Sequence, residues 1–102
     1  MVVAMQIDFD WDPAKAARNA SRHGATFEDA MTAFHDPLAL TIFDAEHSVG
    51  EERCITLGAI GGGKLLVIVH GWREIAIDRA AVRIISARRP TKNEARQYRE
   101  GA

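Results

Sequence analysis

The chain has 102 residues, 47% of them apolar and 26% charged, a length for one domain and a composition that excludes wholesale disorder. Its net charge of −1 is a cancellation: residues 1–52 hold three Lys and Arg against ten Asp and Glu, a balance of −7, and residues 53–102 hold ten against four, a balance of +6. No run approaches the roughly 18 apolar residues of a membrane helix, and no basic segment followed by an apolar one opens the chain, so a cytoplasmic protein without membrane contact is expected.

Residues 5–11, MQIDFDW, alternate apolar and polar with a period of two, the pattern of a strand with one buried face. Asp12-Pro13 starts a helix over about residues 13–22, because the carboxylate caps free amides and proline's fixed φ suits the first helical position. His23-Gly24 stops it, since glycine takes the left-handed conformation at no steric cost. Thr26 opens a second helix in which Phe27, Ala30, Met31 and Phe34 share one face, and Asp36-Pro37 ends it. LALTIF, residues 38–43, reads as a strand, and the polar loop DAEHSVGEE follows. RCITLGAI (53–60) and KLLVIVH (64–70) flank Gly61-Gly62-Gly63, which predicts a hairpin of antiparallel strands whose all-apolar second arm is central. VRIISA, residues 82–87, makes the last strand, and Thr91 with Glu94 forms a capping box for a final helix. The order predicts an α+β fold: a mostly antiparallel sheet with two N-terminal helices and one C-terminal helix, in a single domain over residues 1–102.

Seven of the ten basic residues of the second half lie between Arg79 and Arg99. Arginines on an amphipathic helix are usually a solvated face, but Arg83, Arg88 and Arg89 sit in or just after a strand that can anchor them, and Tyr98 lies among them. Planar guanidinium groups suit bidentate contact with phosphate. The cluster therefore points to a polyanion site, RNA above all, or to a dock for an acidic protein surface. Of the four histidines, His23 and His35 end helices, where the macrodipole accounts for them. His47 sits in a loop that no core packing demands, and His70, at the end of the central strand, is placed to project into a cleft at the sheet edge; either can do acid–base work near neutral pH. Alternation puts Glu51 and Arg53 on one face of their strand and Glu52 on the other, consistent with a cross-strand ion pair or with an arginine held over substrate. The histidines are too scattered for a metal site, the glycine run lacks the context of a phosphate loop, and no cofactor is implied. The lone Cys54 has no disulfide partner or zinc-ligand spacing and is expected to be a buried, inert thiol.

FDWDPAKAARNASRHGATFEDAMTAFHDP, DAEHSVGEERCITLG and KLLVIVH followed by RIISARRPTKNEARQYRE together resemble the BrnT family of type II toxin–antitoxin ribonucleases, over nearly the whole chain. Family members usually begin near Met5, which makes residues 1–4 a candidate start-site extension. The sequence departs from the commonest pattern in HGWREIAIDRAAV, longer than the usual connection there, and in EARQY. The resemblance implies a RelE-like fold and a toxin that cleaves RNA without metal, arresting translation and growth. Its partner would be a BrnA-like ribbon-helix-helix antitoxin, and operator DNA would be reached only through that antitoxin. For such chemistry the candidates are Arg53, Arg83 and Arg88 for phosphate stabilisation, His47 or Glu52 for proton transfer, and Arg89, Tyr98 and Lys92 for holding RNA. Two other readings compete: a non-catalytic subunit that binds antitoxin or operator DNA through its basic face, and a small structural module.

Overall fold

The computed structural model describes residues 5–48 and 51–101; the candidate extension, residues 1–4, and positions 49–50 of the polar loop lie outside them. Strand β1 (Gln6–Asp10) leads through Asp12 into helix α1 (Pro13–His23). The Asp12 carboxylate accepts from Ala14 N at 2.8 Å, and Gly24, at φ 65°, closes the helix by donating to Ala20 O at 2.9 Å. Helix α2 (Phe27–Ala33) is capped by the Thr26 hydroxyl. It ends before His35 because Phe34, His35 and Asp36 donate to carbonyls three residues back, tightening the last turn, and Asp36 then takes the amide of Leu38 at 3.0 Å. Strand β2 (Leu40–Phe43), a 3₁₀ turn (Ala45–His47), β3 (Glu52–Ala59), a second 3₁₀ turn (Gly61–Gly63), β4 (Leu65–Ala76), β5 (Arg79–Arg88) and α3 (Lys92–Glu100) complete the chain.

The five strands form one sheet in the order β1-β5-β4-β3-β2. β1 runs parallel to β5 and every other pair is antiparallel, so the sheet is mixed at one edge only. β4 is central, as its apolar run predicts, but it does not end at His70. It continues to Ala76 and turns through Ile77-Asp78 into β5. That turn holds no glycine or proline, so the second hairpin carries none of the local signals that mark the first.

Helices α1 and α2 cover one face of the sheet. Phe27, Ala30 and Ala33 pack with Leu66, Ile68, Val82, Ile84 and Ala87, all buried. Phe9 meets Phe34 and Trp11 meets Phe27 edge-on, at centroid distances of 5.3 and 5.8 Å. Asn19, buried in α1, ties this layer to the sheet: its Nδ2 donates to Ala25 O and Ala87 O at 2.9 and 2.8 Å, and its Oδ1 accepts from Ala87 N at 3.1 Å. Cys54 is buried, and burial, helped by the charge of Glu52, pushes its thiol pKa up.

Helix α3 folds back against β3 on the opposite face, where Leu57 and Val67 are buried. Both predicted cap contacts are present, between the Thr91 side chain and Glu94 N and between the Glu94 side chain and Thr91 N. Two further ties fix the helix. Arg88 donates from both terminal nitrogens to the Glu94 carboxylate at 2.8 and 3.0 Å, and Tyr98 donates to Asp36 Oδ2 at 2.6 Å.

Candidate functional site

On its face of the sheet helix α3 packs mainly on β3; away from it, towards the exposed Arg73 and Arg83, the face is open. The register there sets four residues in one row across four strands: Asp10 on β1, Arg83 on β5, Gly71 on β4 and Arg53 on β3. Neighbouring strands lie about 4.8 Å apart, so the two arginines stand roughly 10 Å apart at the backbone with only a glycine between them. The space above Gly71 is used. A Cβ placed there would lie 2.4 Å from Oε1 of Glu51, whose carboxylate reaches in from the start of β3. A hollow of about 580 Å³ opens beside it, walled by Asp8, Asp10, Glu51, Arg73 and Arg83.

The arginines of this face are not equally engaged. Arg79 is paired with Asp8, its Nε on Oδ2 at 2.8 Å, and Arg83 stands 3.7 Å from Asp10 with both side chains well exposed. Arg53 Nε is buried and has no hydrogen-bond partner among the described residues. A glycine opposite removes the cross-strand carboxylate that would satisfy it. A buried donor without an acceptor costs about 1–3 kcal/mol.

The candidates drawn from the sequence fall into three places. Arg53 and Arg83 share the open row. Arg88, Arg89, Lys92 and Tyr98 gather at α3; Arg88 is five residues beyond Arg83 along β5, roughly 16 Å at the rise of a strand. Two of these are held by acidic groups: Arg88 keeps the Glu94 carboxyl down to about 2, and the hydrogen bond to Asp36 pushes the Tyr98 phenol up. Arg89 and Lys92 are exposed. His47 and Glu52 lie towards the far edge of the sheet, where His47 Nδ1 meets Asp44 Oδ2 at 2.8 Å and Glu52 pairs in register with Trp72 on the helix-covered side.

His70 corrects the expectation of a cleft histidine. It lies within β4, fully buried, with the Phe34 ring edge-on at 4.8 Å. Its Nδ1 donates to Gly71 O at 3.1 Å, which leaves Nε2 to accept from Thr56 Oγ1 at 2.8 Å, and Thr56 accepts in turn from Thr41 at 2.8 Å. Burial lowers its pKa against the smaller, opposing effect of the Gly71 carbonyl. It is a neutral core histidine.

Against this geometry, the family described as "Ribonuclease toxin, BrnT, of type II toxin-antitoxin system" matches residues 11–94. The chain belongs to the BrnT family. The BrnT match spans every sequence-derived candidate except Tyr98. The crystal structure of the Brucella abortus ribonuclease toxin BrnT has the same fold, with a TM-score of 0.56 at 20% identity, covering 87% of this chain and 100% of that one. No functionally curated protein matches the chain. Within this BrnT chain, the part of the site that sequence reading passed over is Gly71; alternation places Glu51 on the face of Arg53, but not over the glycine of the neighbouring strand. The signal for Gly71 lies in the hairpin: pairing Ala59 with Leu65 and counting outward brings Arg53 opposite Gly71.

Proposed function

We propose that this BrnT toxin is a RelE-like, metal-independent endoribonuclease acting as a single domain, and that the open row over Gly71 is where it cleaves. The observation that carries the reading is Arg53 Nε, a buried donor without a hydrogen-bond partner among the described residues, one glycine away from the exposed Arg83. Cleavage without metal uses the 2′-hydroxyl of the substrate: its oxygen bonds to phosphorus, the bond to the 5′-oxygen breaks, and one proton leaves the nucleophile while another reaches the leaving oxygen. Arg53 and Arg83 are placed to flank the phosphorane and take up its charge. Glu51, inside the row, is the best-placed proton acceptor, ahead of His47 and Glu52 at the edge. Arg88, bound by Glu94, belongs in this reading to the α3 wall, with Arg89, Lys92 and Tyr98 along the RNA.

In the cell this activity would arrest translation and growth until a BrnA-like ribbon-helix-helix antitoxin covered the toxin, and operator DNA would be bound only through that partner. Leu38, Ile42 and Phe43, exposed beside the free edge of β2, support a protein partner.

The test is cleavage of single-stranded RNA in EDTA by the purified chain and by Arg53→Ala/Arg83→Ala. The double variant should stay folded and lose at least 10²-fold in rate, the usual cost of removing charge-stabilising donors. Full activity in the folded double variant, or no cleavage by the parent chain, would reject the reading; an inactive chain that still binds antitoxin would point to a non-catalytic subunit.

A further inference from the structure

The hollow over the open row does not stop at the sheet. Asp10 and Arg83 also wall a second hollow, of about 290 Å³, around Trp11 and Asp12 at the end of β1. Lys15 and Ile85 are shared between that one and a third, of about 480 Å³, along α1. The strands explain the path. β1 ends at Asp10, opposite Arg83, so β5 has no neighbouring strand on that side from Ile84 onward. A bulge at Ile85, between the pairs Val69–Ser86 and His70–Ile84, opens the edge further.

Charge changes along this groove. Its sheet end mixes Asp8, Asp10 and Glu51 with Arg73 and Arg83. Its α1 end has Lys15, Arg18, Arg22 and His23 and no carboxylate. Lys15, Arg18 and Arg22 are the only Lys and Arg residues of the acidic first half. Among the described residues none of them is in an ion pair, which they share with Arg73 and Arg89 but not with Arg79, Arg83 and Arg88. The helix dipole accounts for Arg22 and His23 in the last turn and disfavours Lys15 in the first, where the capping Asp12 carboxylate is the acidic group near it. The three recur at i, i+3 and i+7 on one helical face, spanning about 10 Å of axis.

We propose that α1 is a second RNA-contacting surface: the strand whose scissile phosphate lies between Arg53 and Arg83 continues round the end of β1, past Trp11, and lays its flanking phosphates on Lys15, Arg18 and Arg22. The proposal rests on the ribonuclease reading and adds the course of the substrate. It makes the three residues positioning groups that raise affinity for long RNA and leave the chemical step unchanged. Each contact to a single strand contributes about 0.7 to the slope of log K against log salt.

The experiment compares the parent chain with Lys15→Ala/Arg18→Ala/Arg22→Ala and with the corresponding triple Gln variant, which keeps polar stems on the exposed face. Cleavage of a long single-stranded RNA and of a trinucleotide is followed with and without antitoxin, and binding of a long 2′-methoxy RNA is titrated against salt. The expected result is a KM for long RNA raised at least tenfold in both variants, a salt slope smaller by about 2, and unchanged kcat and trinucleotide cleavage. Unchanged KM and slope, with the parent active, would overturn the RNA track while leaving the ribonuclease reading in place; a parent that cleaves no RNA would sink both. Normal cleavage of long RNA by variants that escape neutralisation would assign the α1 face to the antitoxin instead.

Discussion

Replacing Gly71 by alanine separates the site from the scaffold. The backbone at Gly71 is not in the left-handed region, so alanine adopts it without strain, and the lost chain entropy of glycine should add about 0.4–1 kcal/mol of stability. What the new methyl meets is Glu51: the carboxylate oxygen 2.4 Å away must retreat to at least 3.4 Å to reach ordinary contact, a displacement of about 1 Å. A flexible carboxylate can make that move, so the fold should be kept and only the reacting geometry lost. A misplacement of about 1 Å at a reacting group costs on the order of 10² in rate. The assay pairs chemical denaturation with initial rates of RNA cleavage. Gly71→Ala should be at least as stable as the parent and about 10²-fold slower, Glu51→Gln should show a similar loss, and the double variant should be little worse than either, because both act on one carboxylate. Parent-like cleavage by Gly71→Ala, or losses that simply add in the double variant, would refute the role given to Glu51.

Three further outcomes follow from contacts elsewhere. Asn19→Ala should cost about 3 kcal/mol in urea denaturation, because it strands the buried amide and carbonyl of Ala87; a loss below about 1 kcal/mol would mean that water or a shift of α1 replaces the amide. His70 is held below its ordinary 6.5 by burial, so the unfolded chain takes up a proton before the folded one does. Stability should be full above 6.5 and fall as pH drops below it, by up to about 1.4 kcal/mol per unit, and this His-dependent slope should be absent in His70→Phe. Glu94, held at about 2 against an ordinary 4.5, gives stability that is full above 4.5 and lost as pH falls towards 2. Glu94→Gln should therefore cost about 1 kcal/mol at pH 7 and nothing near pH 2.

The elements legible in the sequence are those whose causes are local. Asp12-Pro13 and Thr91 with Glu94 state their helix starts within four residues, and the glycine run states the first hairpin. What escaped reading depends on partners far along the chain. Asn19 looks like an ordinary polar residue of an amphipathic helix, and its reason is Ala87, 68 residues away. His70 looked like a strand end because the apolar run stops there, although β4 goes on through residues whose hairpin has no turn signal. The basic C-terminal stretch suggested a single charged wall, whereas the fold pairs Arg79, Arg83 and Arg88 with carboxylates and leaves Arg89, Lys92, Arg96 and Arg99, like Lys15, Arg18 and Arg22, in no ion pair among the described residues. Arg53 was named from the sequence as a residue to locate, but that its Nε has no partner among the described residues follows only from the register that sets it against Gly71.

The parallel pairing of β1 with β5 has a consequence for synthesis. The first strand docks on the last, Gln6 against Arg79 and Asp10 against Arg83, and a chain emerges from the ribosome N-terminus first. Until β5 is out, β1 has no neighbour, Asn19 has no Ala87 to grip, and the row has neither Arg83 nor the frame that positions Arg53. Pairing over such sequence separations is also slow to form. A nascent chain that has emerged only as far as β4, or one truncated before β5, therefore holds no assembled row, and the row can form only once β5 has left the ribosome.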